Sequence, residues 1–179
     1  MPEEVVLVNE NDERVGTEEK LKAHQNGGKR HRAFSIFVFN SDGEMLLQKR
    51  AEGKYHCPGL WTNTTCSHPR PEEDLEQATH RRIQEEMGFD CPMEEVFTFH
   101  YEAEFENGLT ENEMDHVFVG KYDGEPDPNP DEAGDWKWED PEEVERDVEN
   151  NPDRYTPWFR IALDRVIDIV ESRPDFNVD

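Results

Sequence analysis

Between Trp61 and Gly88 the chain sets a thiol, an imidazole and a charged helical segment in immediate succession. Cys66 and His68 stand two residues apart in Trp61-Thr62-Asn63-Thr64-Thr65-Cys66-Ser67-His68-Pro69. From Pro71 onward Glu72, Glu73, Leu75, Ala78, Ile83 and Met87 repeat at helical spacing. Acids fall in the first turn, Arg81 and Arg82 further along, and Gly88 at the stop, which predicts a helix ending at that glycine. Glu85 and Glu86 follow the two arginines by four residues, the spacing of an ion-paired helix surface. A thiol and an imidazole this close can be a nucleophile and its base, a base beside a metal ligand, or two ligands of one ion.

The flanking segments read mainly as strands. Val5–Val8 is a short apolar strand that ends at the polar turn Asn9-Glu10-Asn11-Asp12. Thr17 is expected to cap a short helix through Glu18, Glu19, Lys20, Leu21 and Ala23, closing near the loop glycines Gly27 and Gly28, with His24 and His31 on either side. Ala33–Phe39 is rich in β formers, and Asn40-Ser41-Asp42-Gly43 turns it into Met45–Gln48 as a hairpin. That hairpin leads into Lys49, Arg50 and Lys54, a basic group that is either a solvated patch or an anion site.

Val96–Tyr101 and Glu111–Val119 read as two strands joined through a turn at Asn107-Gly108. Strand alternation puts Glu111 and Glu113 on one face about 7 Å apart, where two carboxylates repel unless a cation lies between them. Residues 123–134 form a Pro-, Gly- and acid-rich surface connection. Trp136 and Trp138 belong to a short strand, Asp140 caps a helix opened by Pro141, and Pro157 starts a last helix with one apolar stripe from Phe159 to Val170. The sum is a mixed α/β (α+β) chain, a sheet with antiparallel pairs flanked by helices.

Composition limits what such a chain does. One domain over 1–179 accounts for a length within the common range of about 100–200 residues. Forty-four acidic residues against nineteen basic ones give a formal net charge of −25. Ten Phe, four Trp and four Tyr with clear periodicities speak for a folded core rather than disorder. An acidic surface of this kind fits a salt-adapted, haloarchaeal-like host whose salt screens the repulsion, and it argues against nucleic acid or anionic membrane as partners. Three cysteines without a disulfide spacing, and no leading apolar segment, are expected of a reduced cytoplasmic protein, taken here as a monomer.

Ser67 to Phe89 resembles the Nudix box, a loop–helix–loop signature, with Glu73, Arg81, Ile83, Glu85, Glu86, Gly88 and Phe89 at matching positions. Ser67 stands where the box opens with glycine, and Arg82 where it has a carboxylate of the metal cluster used in pyrophosphate hydrolysis. The Arg82 departure, with the segment Trp61–Pro69 ahead of the box and Glu111-Asn112-Glu113 behind it, is similar to type 1 isopentenyl-diphosphate isomerases. The likeness runs over nearly the whole chain, from Lys20 to Thr156-Pro157-Trp158.

That resemblance implies a Nudix-type mixed sheet flanked by helices and the conversion of isopentenyl to dimethylallyl diphosphate. It implies that Cys66 and Glu113 are the acid/base pair, with Glu113, aided by Tyr101, giving the proton and Cys66 as thiolate taking it. Trp158 is then expected to present its π face to the carbocation. The implied ligands of one transition divalent metal, manganese or zinc, are His24, His31, His68, Glu111 and Glu113. A Mg²⁺ ion would bridge Glu86 and the diphosphate, with Lys20, Arg50, Lys54 and Arg82 supplying positive charge to the same group. Cys57, Cys91 and His56 are left as packing or surface residues. A Nudix pyrophosphohydrolase and a catalytically silent metal- or diphosphate-binding protein share the scaffold, and only an isomerase gives an allylic product without released phosphate.

Overall fold

The structure is a computed structural model that describes residues 3–25, 28–54, 57–105 and 108–172. Gly27, His56 and Asn107, named above, lie outside the described residues.

The central strand is β3 (His31–Phe39), and its sequence explains its position. Phe34, Ile36 and Val38 point to one core and Phe37 and Phe39 to another, so an almost unbroken apolar run is buried on both faces. Its hairpin partner β4 (Met45–Arg50) follows the turn at Asn40, whose side-chain oxygen accepts from the Asp42 and Glu44 amides. Two strands precede it, β1 (Glu4–Val8) and β2 (Arg14–Glu19), and β1 pairs with both β2 and β3. The two-residue β5 (Trp61–Thr62) joins β4, and β6 (Thr65–Ser67) lies along β3 with Cys66 opposite Ser35. The long hairpin β7 (Met93–Glu104) and β8 (Thr110–Lys121) attaches through β8, which runs parallel to β3. β9 (Ala133–Glu139) closes on the far side of β4, giving a mixed sheet of nine strands among the described residues.

Helices cover both faces. α1 (Lys20–Ala23) is a single turn. α2 (Leu75–Met87) packs Ala78, Ile83 and Met87 onto the Phe34, Ile36 and Val38 face of β3. α3 (Pro141–Asn150) starts at the Asp140 cap, and α4 (Pro157–Ser172) lays Phe159, Ala162, Leu163, Val166, Ile167 and Val170 on the other face, as the stripe predicts. Each fully buried large side chain in that stripe contributes about 1.5–3 kcal/mol.

Three expectations need correction. Thr17 does not cap a helix: it lies in β2 opposite Val6, because the apolar β1 gains more from a paired neighbour than four helical residues gain from a cap. The Nudix-box helix begins at Leu75, not among Glu72 and Glu73; Asp74 caps it, exchanging hydrogen bonds with Gln77. Gly88 ends it at φ 73°, where a side chain would collide with the Asp127 carbonyl. The acid-rich stretch 123–134 is also more than a surface connection. The Asp127 and Asn129 amides bond the Met87 and Glu86 carbonyls, which ties it to the end of α2 and carries Glu132 toward the pocket.

Candidate active site

On β8 the odd-numbered residues from Glu111 to Val119 share one face. Val117 and Val119 are packed in the α4 core, while Glu111, Glu113 and Asp115 continue that face into a pocket. Cys66 on β6 and Trp158 at the start of α4 line the same pocket, with His24, His68, Lys20, Arg50, Lys54 and Arg82. Strand pairing brings the two ends together: Cys66 sits beside Ser35 on β3, and Ala33, two residues earlier, sits beside Asp115 on β8. Of the remaining site residues expected from the sequence, His31 is fully buried, Tyr101 pairs across β7–β8 with Glu113, and Glu86 is buried below Arg82.

Four residues bring ligand atoms within 4.8 Å of one another: His24, His31, His68 and Glu113. The donors suit a cation. His24 Nδ1 donates to the Lys20 carbonyl at 2.6 Å, leaving the lone pair of its buried Nε2 available to a cation in the cluster. His31 Nδ1 donates to the Lys29 carbonyl at 2.9 Å, while its Nε2 faces a Glu113 oxygen at 3.2 Å. A ring that donates through Nδ1 has, when neutral, a lone pair at Nε2, and a cation between that nitrogen and the carboxylate would resolve their opposition. His68 Nε2 lies 3.0 Å from the same oxygen, and burial holds its ring down to about 3, hence neutral and fit for ligation. Glu111 adjoins the four through a hydrogen bond to Glu113.

The carboxylates differ in charge state. Burial, then the charge of Glu113, raises Glu111 well above the ordinary carboxylate range. Burial alone would also raise Glu113, but the hydrogen bonds of His31 and His68 outweigh it and hold Glu113 well below that range. The hydrogen-bonded pair therefore carries one proton between two carboxyl groups. Asp115, raised by burial and by Glu113, accepts from Ser35 Oγ at 2.9 Å and has its other oxygen buried without a partner.

Cys66 is held from both sides. Its thiol donates to Asn63 Oδ1 at 3.2 Å, and Trp158 Nε1 donates to its sulfur at 3.0 Å. The Asn63 amide cannot turn round, since its nitrogen donates to the Ile36 and Thr65 carbonyls. Burial pushes the thiol up to about 12, so it rests protonated. Trp158 thus offers Cys66 its N–H edge, and its π face holds the Arg50 guanidinium at 5.2 Å from the ring centre. Burial likewise raises Tyr101, whose hydroxyl has no hydrogen-bond partner.

The basic group above the pocket is tied down by acids. Arg82 Nε donates to Ser67 Oγ at 2.9 Å, one Nη to Glu85 at 2.8 Å, and the other to Glu86 at 2.6 Å and Glu132 at 3.2 Å. Gln48 donates to the second Glu86 oxygen at 2.9 Å. Burial raises Glu86 despite the neighbouring Arg82. Sequence reasoning missed Asp115, which the alternation from Glu111 and Glu113 marks, and Glu132, for which no local signal exists.

With this geometry in view, comparison with known proteins is decisive. The NUDIX domain family matches residues 29–159. Isopentenyl-diphosphate Delta-isomerase 2 of Aromatoleum aromaticum is 53% identical over 167 residues, 93% of this chain and 88% of the relative. The chain belongs to this isomerase family within the Nudix fold. The isopentenyl-diphosphate Delta-isomerase of Halorhodospira halophila is 49% identical over 88% of this chain and 91% of its own length. Among solved structures, a protein of Deinococcus radiodurans superposes with a TM-score of 0.74 at 22% identity, covering 91% of this chain and 98% of that one. A MutT protein of Methanosarcina mazei gives 0.65 at 18% identity over 80% and 96%. Those two likenesses establish the fold alone, a mixed sheet flanked by helices. The sequence resemblance to the isomerases rests on the Cys66 segment and Glu111-Asn112-Glu113.

Proposed function

We propose that the chain converts isopentenyl diphosphate to dimethylallyl diphosphate by adding a proton at one carbon and removing one at another. The observation that carries this reading is the meeting of Cys66 and Glu113 in one pocket under the cations Lys54 and Arg82. An unactivated alkene needs a proton donor on one side, an acceptor on the other, and exclusion of water from the cationic intermediate. Lys20, Arg50, Lys54 and Arg82 are the positive groups for the diphosphate. Phe34 and Trp158 line the pocket as apolar walls.

Glu113, paired across the strands with Tyr101, is the donor in this reading once it has taken the shared proton from Glu111, and Cys66 is the acceptor. Since the resting thiol directs its proton to Asn63, whose amide cannot take it, Cys66 must lose that proton to solvent before water is excluded and a substrate proton is accepted. Arg50, next to Trp158 and acting to lower Cys66, favours the thiolate. For Trp158 to turn its π face to a carbocation, the Arg50 guanidinium must move aside, and the diphosphate is the anion that would draw it.

His24, His31, His68 and Glu113, with Glu111, would hold one divalent ion, manganese or zinc by donor type, and Glu86 a Mg²⁺ shared with the diphosphate. Held there, such an ion would fix Glu113 and would make a proton on it more acidic. We further infer a monomeric, cytoplasmic enzyme, the latter because Cys66 acts as a free thiol in a reducing compartment. Among the described residues no helix is long and apolar enough to cross a membrane.

Incubation of the purified protein with isopentenyl diphosphate tests the reading. An acid-labile allylic product with no free phosphate is the expected result, and phosphate release without that product would refute it.

A further inference from the structure

Two of the cations assigned to the diphosphate already have an internal anion. One oxygen of Glu132 accepts from Lys54 Nζ at 2.6 Å and from Arg82 at 3.2 Å, and the same Arg82 nitrogen donates to Glu86 at 2.6 Å. Four side chains thus alternate in sign, Lys54, Glu132, Arg82 and Glu86, and their formal charges cancel. Glu132 is a built part of the pocket and not a wandering surface acid. Its amide bonds the Asn129 carbonyl, its carbonyl accepts from Ala51, and Asn129 is bonded in turn to the carbonyl of Glu86. Its side chain is only 23% exposed.

A diphosphate reaching Lys54 and Arg82 therefore brings its negative oxygens against two fixed carboxylates. Like charges in a partly desolvated site oppose binding unless a cation comes between them. We propose that Glu132 is a specificity-determining residue of the diphosphate subsite: with Glu86 it neutralises Lys54 and Arg82 and so admits a diphosphate only together with a divalent cation. Removal of the Glu132 charge takes the acid from Lys54 and leaves Arg82 with Glu86 and the more exposed Glu85, a subsite with one negative charge fewer that meets the bare anion with less repulsion. The inference rests on the reading of the pocket as a diphosphate site and adds to it the residue that makes binding depend on the cation.

Calorimetric titration of the full chain with inorganic pyrophosphate, with Mg²⁺ omitted and with Mg²⁺ saturating, tests this on the parent, Glu132→Gln and Glu132→Asp. In the parent, Mg²⁺ should tighten pyrophosphate binding by about tenfold or more, within the usual range of linked binding. In Glu132→Gln the Mg²⁺-free affinity should rise and the Mg²⁺ effect shrink to about threefold or less. Glu132→Asp keeps the charge and should retain the parent's Mg²⁺ effect, which separates loss of charge from loss of packing. A parent that isomerises its substrate and binds pyrophosphate with Mg²⁺, alongside a Glu132→Gln protein with the same Mg²⁺ ratio, overturns this inference alone. A parent that neither isomerises nor binds pyrophosphate overturns the underlying reading with it.

Discussion

Arg82 and Ser67, the two residues that depart from the Nudix box, are bonded to each other, Nε to Oγ at 2.9 Å. A hydrolase box has a carboxylate and a glycine at those positions. Exchange of the carboxylate for arginine takes a negative charge from the metal cluster and replaces it with a guanidinium whose donors reach Ser67, Glu85, Glu86 and Glu132. The arginine is only 14% exposed and Glu86 5%. Arg82→Ala should therefore leave Glu86 as an uncompensated buried acid and cost about 3–5 kcal/mol of unfolding free energy. Urea unfolding measures it; a change under about 0.5 kcal/mol, the usual scale of an unremarkable surface substitution, would mean the pair carries no structural weight.

The imidazole cluster gives a second expectation. His24→Ala removes one of the four side chains whose ligand atoms lie within 4.8 Å of one another, so manganese or zinc affinity should fall at least about tenfold, with the circular dichroism spectrum kept. Competition with a chromophoric chelator reads the affinity. Equal metal retention by parent and variant would remove His24 from the ligand set.

Asp115 supplies a test in pH. Its folded value is raised above the unfolded one, so the folded state binds the extra proton. Stability is then lost as pH rises above the unfolded value of about 3.9 toward the folded one. Asp115→Asn imitates the protonated acid and should raise the melting temperature at pH 7, with the gain shrinking toward pH 4. A variant less stable than the parent at pH 7 would mean that Asp115 is ionised in the fold.

The net charge of −25 yields an expectation about salt. At about 1 M salt the Debye length is near 3 Å, and surface repulsion is screened. We expect the melting temperature to climb from dilute buffer to molar salt. An unchanged melting temperature across that range would detach the acidic composition from salt adaptation.

Much of this architecture was legible in the sequence, for reasons that differ by element. The α4 stripe and the Asp140-Pro141 start of α3 are local signals, periodicity and capping, and they hold. Thr17 misled because capping residues also suit strands, and only the apolar β1 beside it decides the matter. The identity of the pocket came from a resemblance carried by Cys66, Arg82 and Glu113; spacing alone left the Cys66–His68 pair open between nucleophile, base and ligand. Which way each group faces was not legible. The N–H edge of Trp158 on Cys66, with Arg50 over its ring, depends on strands and helices far apart in the chain. Glu132 is one of forty-four acids, and only the fold brings it to Lys54.

The most direct test of the isomerase reading is the reaction run in deuterated water with the parent and Cys66→Ala. If proton transfer by enzyme groups makes the product, the parent places deuterium in the new methyl group of dimethylallyl diphosphate. Cys66→Ala should still bind pyrophosphate, because Lys54 and Arg82 are untouched, while turnover falls by roughly 10²-fold or more, the scale for losing a positioned acid or base. Released phosphate, no carbon-bound deuterium and full activity without the thiol would contradict the account.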